Sequence, residues 1–469
     1  MNRRPVELCS VHQNCYLHHI IPGLAPIHLS FIVEHTITTE LIQLLQQFQL
    51  QPEDQLHIEV DVIPRSSNTS SVVYWKNGVR HFPPPIINTH HLRHLPFAPV
   101  TAPLFDWDAF ESWWDVLAPH EDLSTMVAWL SRPNALAKRL APYISLVHQD
   151  SSTTLTRNDQ IQFADLSSFL QQGTIVHNED GNNTVSAIIF KVLKSGGENC
   201  RMIWDGSTFG LLMEHYFRGQ RERDISNNIF KPSSAYEIPK TPLPLIPTLV
   251  NEILNPKWKY MSTVDAKNMF YQFKIRSKDL SKLFGIRYQF SNNKIIHLLL
   301  ACLPQGINFS PSFAQHTSLY ICRIVKYVVT TRCKELNIPD KDFHLTAWID
   351  NFILLTLTLE DRIFISKIFD EVVGTENILI NNQHIGSGVN LQMKPWEHQD
   401  EQGIITVLGI KFNLVTKEAA PAEDKRSEVN QLMNNFRDQS TTTNRIFFQW
   451  FGLCQWMVYS TAQLPLCFF

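Results

Sequence analysis

Paired cysteines are missing from this chain. Eight cysteines are scattered over 469 residues, and none forms a CxxC pair. In a chain of this length they read as reduced thiols in an intracellular setting, not as a disulfide framework. Long apolar runs are also missing. No stretch reaches the ~18–20 residues that a membrane-spanning helix needs, so no membrane partner is expected. The opening MNRRPVELC has no apolar stretch of the kind a secretory signal carries. There is no excess of either charge: 41 Lys and Arg stand against 44 Asp and Glu, a net charge of −3. A near-neutral total neither announces nor excludes a nucleic-acid partner, because a basic channel and an acidic metal site cancel in the sum. Internal repeats and long low-complexity tracts are absent too. What is present is 44% hydrophobic and only 18% charged residues. That composition supports a sizeable core, and the length allows two or three domains.

Residues 1–155 carry no nameable motif. Cys9, His12, Cys15, His18 and His19 cluster near the start, but their spacing fits no common zinc pattern well, and an irregular N-terminus explains them as readily. Pro83–Pro85 and the histidine-rich stretch His90–His94 mark a loop. FDWDAFESWWDVLAPHEDL, with Trp107, Trp113 and Trp114, has the pattern of an amphipathic helix whose aromatics serve a core.

The texture changes near residue 160. A short helix, Phe163 to Gln172, is stopped by Gly173. VSAIIFKVL and CRMIWDGS read as a hairpin with Gly196 and Gly197 at its tip. LVNEIL is a helix after a proline-rich approach. WKYMSTVDAKNMF is a strand ending near Asp265, and KLFGIRYQF pairs with KIIHLLLACL. A long helix follows LPQG, from about Pro311 to Lys334. HLTAWIDNFILLTL is a hairpin with Asp350 and Asn351 at its tip. EDRIFISKIFDEVV is an amphipathic helix, and GIITVLGIKFNL is a late hairpin. The last fifty residues are expected to be helical, with the chain expected to stop in mid-domain.

Two aspartates, Asp265 and Asp350, therefore sit where strands meet turns. Either one alone is most simply a turn residue. As a pair on adjacent strands they suit phosphoryl transfer, which uses two divalent ions roughly 3.5–4 Å apart. Magnesium prefers carboxylate oxygen and keeps several waters, so two carboxylates suffice as the protein's share.

The blocks around this pair resemble the reverse transcriptases of retroviruses and retroelements over about residues 160–415. The match is in order. LKSGGENCRMIWD is similar to the fingers hairpin, STVDAKNMFYQFKI to the first palm motif, and LPQGINFSPSFAQ to the block that positions nucleotide and template. AWIDN is similar to the tyrosine-x-Asp-Asp motif, LQMKPW to a later palm block, and VLGIKF to the primer-grip hairpin. The short helix before the fingers strands and the segment FFQWFGLCQWMVYSTAQLP resemble the tyrosine-recombinase retrotransposon type.

The resemblance implies an α+β right-hand polymerase, with an antiparallel palm sheet backed by helices and a partial thumb. It divides the chain into 1–155 of unknown role, 156–415 as fingers and palm, and 416–469 as the start of a thumb or connection. It implies a role for each matched residue. Asp265 and Asp350 hold two Mg2+ ions, with Mn2+ as an alternative, and Asn351 stands beside them. Lys194, Arg201, Phe270, Gln305, Gly306 and Lys394 bind the nucleotide. Trp348, Leu408, Gly409, Ser310 and Pro311 face primer and template. The partners are a primed RNA or DNA template and deoxynucleoside triphosphates. Without the resemblance, Lys194 and Arg201 read as a solvated hairpin, Phe270 as core packing, and Lys394 as a surface lysine before a proline.

Three departures qualify the match. Asn351 replaces the second aspartate of the palm pair, removing a charge, and Trp348 replaces the tyrosine. GSTFGLLMEHY after Asp205 lacks the usual continuation of the fingers motif. No RNase H, integrase or recombinase signature follows. Two functions are thus expected of such a chain: an RNA-directed DNA polymerase, or a polymerase-derived protein that binds nucleic acid or partners without catalysis.

Overall fold

The structure is a computed structural model. It describes side chains for residues 92–132, 136–145, 161–179, 185–194, 198–290 and 292–430, and backbone alone for six strands between 9 and 81, for 90–91, 135 and 146–147, and for 431–438. Cys9, His12, Cys15, His18 and His19, the hairpin tip at Gly196 and Gly197, and FFQWFGLCQWMVYSTAQLP therefore lie outside the described side chains.

The chain forms two compact units. The first contains the early strands, 408–410 and the chain from 420. Its six strands are β1 (Cys9–Val11), β2 (Asn14–His19), β3 (Ile27–Ser30), β4 (Leu56–Val60), β5 (Val72–Lys76) and β6 (Val79–His81). They form one sheet in chain order, antiparallel except for the parallel pair β3–β4.

The second unit covers 88–407 and 411–419. It is an α+β assembly of small, antiparallel sheets and helices. It starts well before the sequence blocks that begin near residue 160. Helices α1 (Trp107–Ser112), α2 (Glu121–Ser131) and α3 (Ala135–Val147) belong to it. The tryptophan-rich segment is anchored by polar tips as well as by burial. Trp107 Nε1 donates to the Lys274 carbonyl at 3.0 Å, and Trp113 Nε1 to the Ser387 carbonyl at 2.9 Å. Phe105, Trp107, Phe110 and Trp113 lie in the same core as residues 264–391.

Next come α4 (Ser167–Gln171) and β7 (Ile175–His177), with Gly173 between them at φ 69°, as a left-handed helix stop requires. Strands β8 (Ile189–Leu193) and β9 (Cys200–Trp204) form the expected antiparallel hairpin. The residues after Asp205 then form α5 (Ser207–Ser226), a helix not expected from the sequence. Its first half carries an apolar stripe at helical spacing, Phe209, Leu212, Met213, Tyr216 and Phe217, and its second half, RGQRERDIS, is polar. Its start is fixed by Asp205, whose Oδ1 accepts from the Ser207 amide at 3.1 Å and the Ser207 hydroxyl at 2.6 Å. The helix α6 (Ile246–Leu254) leads to the central sheet.

That sheet has four strands in the order β13 (Phe343–Trp348), β14 (Asn351–Thr356), β10 (Tyr260–Asp265) and β17 (Glu397–His398). All its pairings are antiparallel. The interior strand β14 reads NFILLT and is buried from Phe352 to Thr356, as a strand covered on both faces should be. Helices α7 (Phe309–Glu335) and α8 (Leu359–Val373) pack against the sheet. A second sheet joins β11 (Gly285–Gln289), β12 (Ile295–Leu300) and β7, and β15 (Asn377–Ile380) pairs with β16 (Gln383–Ser387). Three late strands, β18 (Ile404–Val407), β19 (Ile410–Asn413) and β20 (Glu418–Pro421), form a sheet in that order. Among the described residues, no helix is long and apolar enough to cross a membrane.

Candidate active site at the ends of the central strands

The antiparallel register of β10 and β14 brings Asp265 opposite Asn351. Asp350, one residue earlier, is tied to the same strand end, because the Ala266 amide donates to its carbonyl at 2.7 Å. Residues 85 positions apart in sequence thus meet through one strand pairing. Lys394 joins them from a later segment. Its amide donates to the Asp265 carbonyl at 2.8 Å, and its Nζ donates to Asp265 Oδ2 at 2.5 Å.

Asn351 faces the same carboxylate. Its Nδ2 donates to Asp265 Oδ1 at 2.6 Å. A carboxylate only accepts, so the atom turned toward Asp265 must be the amide nitrogen. The amide oxygen points the other way and accepts from the Thr263 hydroxyl at 2.5 Å. Asn351 is therefore a hydrogen-bond donor in this site, and both oxygens of Asp265 are engaged. Asp350 still has an exposed face, although protein surrounds most of it. Desolvation raises its pKa, and the nearby Asp265 charge raises it further. Lys394 and Arg201 act in the opposite direction.

The tip of the β13–β14 hairpin corrects the expected one by a residue. Trp348 pairs with Asn351, so the two-residue loop is Ile349–Asp350. Asn351 is the first residue of the strand. Such loops need positive φ at their first position, which glycine or asparagine usually supplies. Here Ile349 adopts φ 55°, a strained conformation for a β-branched residue. The strain is held from α7. Gln315 Oε1 accepts from the Ile349 amide at 2.5 Å, while its Nε2 donates to the Ala347 carbonyl at 2.9 Å. The Ser318 hydroxyl donates to the Ile349 carbonyl at 2.5 Å. Sequence reasoning passed over both residues. The available signal was a polar stripe, Ser312, Gln315 and Ser318, on the buried side of an apolar helix; all three are at most 1% exposed.

The other predicted residues divide into groups. Arg201 is exposed on β9, and its charge acts on both Asp350 and the buried Tyr271 phenol. Lys194 is half-buried at the end of β8, where its amide donates to the Asn199 carbonyl at 2.9 Å. Phe270 is half-buried at the core's edge, five residues beyond Asp265. The loop carrying Gln305 and Gly306 lies against the end of β9: the Trp204 amide donates to the Gln305 carbonyl at 2.8 Å. Gly306 has φ 118°, and a Cβ there would stand 2.0 Å from the Trp204 carbonyl oxygen, so only glycine permits this approach. Ser310 is buried, and its hydroxyl donates to the Pro304 carbonyl at 2.5 Å. It shapes the loop from within, and Pro311 follows it in the first turn of α7. Trp348 is half-buried beside the hairpin tip. Leu408 and Gly409, at φ 52° and 74°, make the turn between β18 and β19 and belong to the first unit.

Among the described residues, no group of three or more His, Cys, Asp and Glu side chains could hold a metal ion. No family profile matches the chain, and no curated protein matches it in sequence. The fold and the site together define an α+β protein with paired aspartates at adjacent strand ends, flanked by a lysine and an arginine.

Proposed function

We propose that this chain is an RNA-directed DNA polymerase of the reverse transcriptase type, with the central sheet as its palm and the β8–β9 hairpin as part of its fingers. The observation that carries the reading is the meeting of Asp265 and Asp350 at one end of antiparallel neighbours, with Arg201 and Lys394 around them. The order of the sequence blocks supports it. In this reading a primer 3′-hydroxyl attacks the α-phosphorus of a deoxynucleoside triphosphate, the template selects the base, and pyrophosphate leaves.

The donor set suits magnesium or manganese. It offers hard carboxylate oxygens, and one of them, on Asp350, is costly to ionise without a cation nearby. Asp265 and Asp350 would hold the metal, which when bound neutralises charge on the attacking and leaving oxygens. The chain's own residues do the rest. Arg201 offers a planar, permanently charged grip on phosphate, and Lys194 a point charge. Phe270 presents a flat wall without a hydroxyl, which favours deoxyribose over ribose. The Gln305–Gly306 loop would position the nucleotide and template, and Trp348 would face the primer. Most of the rate would come from positioning and charge neutralisation. The four described cysteines, Cys200, Cys302, Cys322 and Cys333, are free and buried, which accords with an intracellular setting.

A second reading is favoured by one observation: both oxygens of Asp265 already have donors. A polymerase-derived protein could keep this fold to bind primed template without copying it. Primer extension on an oligonucleotide-primed RNA template, in magnesium and separately in manganese, distinguishes the two. The proposal expects extension that disappears in Asp265→Ala and in Asp350→Ala. Template–primer binding with no extension in either metal would replace it with the binding function.

A further inference from the structure

We infer that Lys394 is a resident countercation of Asp265, that a divalent cation must displace its ammonium to bind there, and that Asn351 makes this exchange possible by acting as a donor. The inference rests on the metal-site reading of Asp265 and Asp350 given above, but not on the chain being a polymerase.

The first ground is the set of bonds on Asp265. Asn351 Nδ2 occupies Oδ1, and Lys394 Nζ occupies Oδ2. The amide oxygen lies against the Thr263 hydroxyl, which also reaches the Phe352 carbonyl at 3.0 Å, and in this arrangement Asn351 presents a donor to Asp265. Lys394 is the partner that can leave. Its side chain is 51% exposed and that of Asp265 is 31% exposed, and an ion pair so open to water is weakly held.

The second ground is the backbone. The Lys394 amide donates to the Asp265 carbonyl at 2.8 Å, and Met393 bridges to Ala266. The main chain stays beside Asp265 when the side chain moves. A displaced ammonium therefore remains at the site, available to an anionic ligand such as a triphosphate.

The third ground is charge. The carboxylates of Asp265 and Asp350 are balanced by the cations of Lys394 and Arg201. With an aspartate at 351 a third negative charge would stand in contact with Asp265, and the site would need a dication. With asparagine, two acidic side chains stand against two basic ones. The physical consequence is modest divalent affinity, raised by whatever draws Lys394 away.

The test is Mn2+ binding to the full-length chain, without nucleotide or template, by electron paramagnetic resonance and isothermal titration calorimetry. Lys394→Met keeps length and removes charge. It should tighten Mn2+ by roughly tenfold, because the cation then meets neither a competitor nor a like charge. Lys394→Gln guards against a packing artefact and should tighten binding in the same direction. Asn351→Asp should also tighten it. Adding Asp265→Asn to Lys394→Met should abolish the gain. Unchanged or weaker Mn2+ binding in both Lys394 variants, with thermal unfolding like the parent, overturns the exchange. If neither parent nor variants bind Mn2+, the metal-site reading falls with it. Tightening in a chain that fails to extend primers leaves the exchange standing and removes the polymerase.

Discussion

Ionising Asp350 costs more in the folded chain than in the unfolded one, because protein displaces water around it and Asp265 lies close by. The sign of the resulting pH dependence follows from linkage. Below the ordinary carboxylate pKa of about 3.9 both states carry the proton and there is no penalty. As pH rises, the unfolded chain gives up that proton first. Stability is then lost through the raised folded pKa and stays lower above it. Asp350→Asn should consequently raise the unfolding temperature at pH 7 in the presence of a chelator. The gain should shrink as the pH is lowered toward the ordinary carboxylate range. Thermal unfolding of parent and variant at stepped pH measures this, and a gain that stays constant with pH would refute the electrostatic account. Both aspartates were legible in the sequence, because an apolar strand running into a single acidic residue is a local pattern. The bond between Asn351 and Asp265 was not, because the orientation of an amide depends on Thr263 behind it.

At the scale of elements, the hairpin β13–β14 shows how a locally unfavourable turn is maintained by a helix distant in sequence. Ile349 at φ 55° gains nothing from its own side-chain chemistry; Gln315 and Ser318 hold its two peptide groups. Gln315→Ala would orphan the Ile349 amide and the Ala347 carbonyl. Each buried unsatisfied group costs about 1–3 kcal/mol, so the variant should lose roughly 2–6 kcal/mol of stability. Ser318→Ala removes one partner of the Ile349 carbonyl and should cost about 1 kcal/mol. Chemical denaturation of the two variants gives both numbers, and equal losses would contradict the assignment of the clamp chiefly to Gln315. The hairpin itself was legible, since two apolar runs flank a short polar break. Its tip was misplaced by one residue because turn chemistry favours Asp-Asn over Ile-Asp, and here tertiary hydrogen bonds override that preference. The helix α5 was missed although Phe209, Leu212, Met213, Tyr216 and Phe217 recur at helical spacing, because that stripe fills only its first half and no side chain at its N-cap position caps its start.

At the scale of the molecule, the question is where the autonomous unit begins. The sequence blocks span 156–415, whereas the compact unit starts at 88. The difference is physical. Motifs report chemistry, and residues 92–145 contribute packing, which leaves no signature beyond aromatic content. Their contribution is large. Phe105, Trp107, Phe110, Trp113, Trp129 and Leu130 are each at most 5% exposed in the shared core. Burying one such side chain is worth about 1.5–3 kcal/mol, so the six together supply roughly 9–18 kcal/mol, against a typical net stability of about 5–15. The segment also completes β9, since Pro96 accepts from the Cys200 amide at 2.9 Å and Ala98 donates to the Cys200 carbonyl at 2.8 Å. Arg201, the next residue, depends on that strand for its place near Asp350. A chain from Asn88 to Asp438 should therefore unfold cooperatively and show a dispersed amide spectrum. A chain from 156 to the same end should lack near-ultraviolet circular dichroism and bind apolar dyes, as a collapsed state without fixed packing does. If the shorter chain instead proved cooperative and as stable as the longer one, residues 92–145 would be an appendage and the core assigned to them here would be wrong.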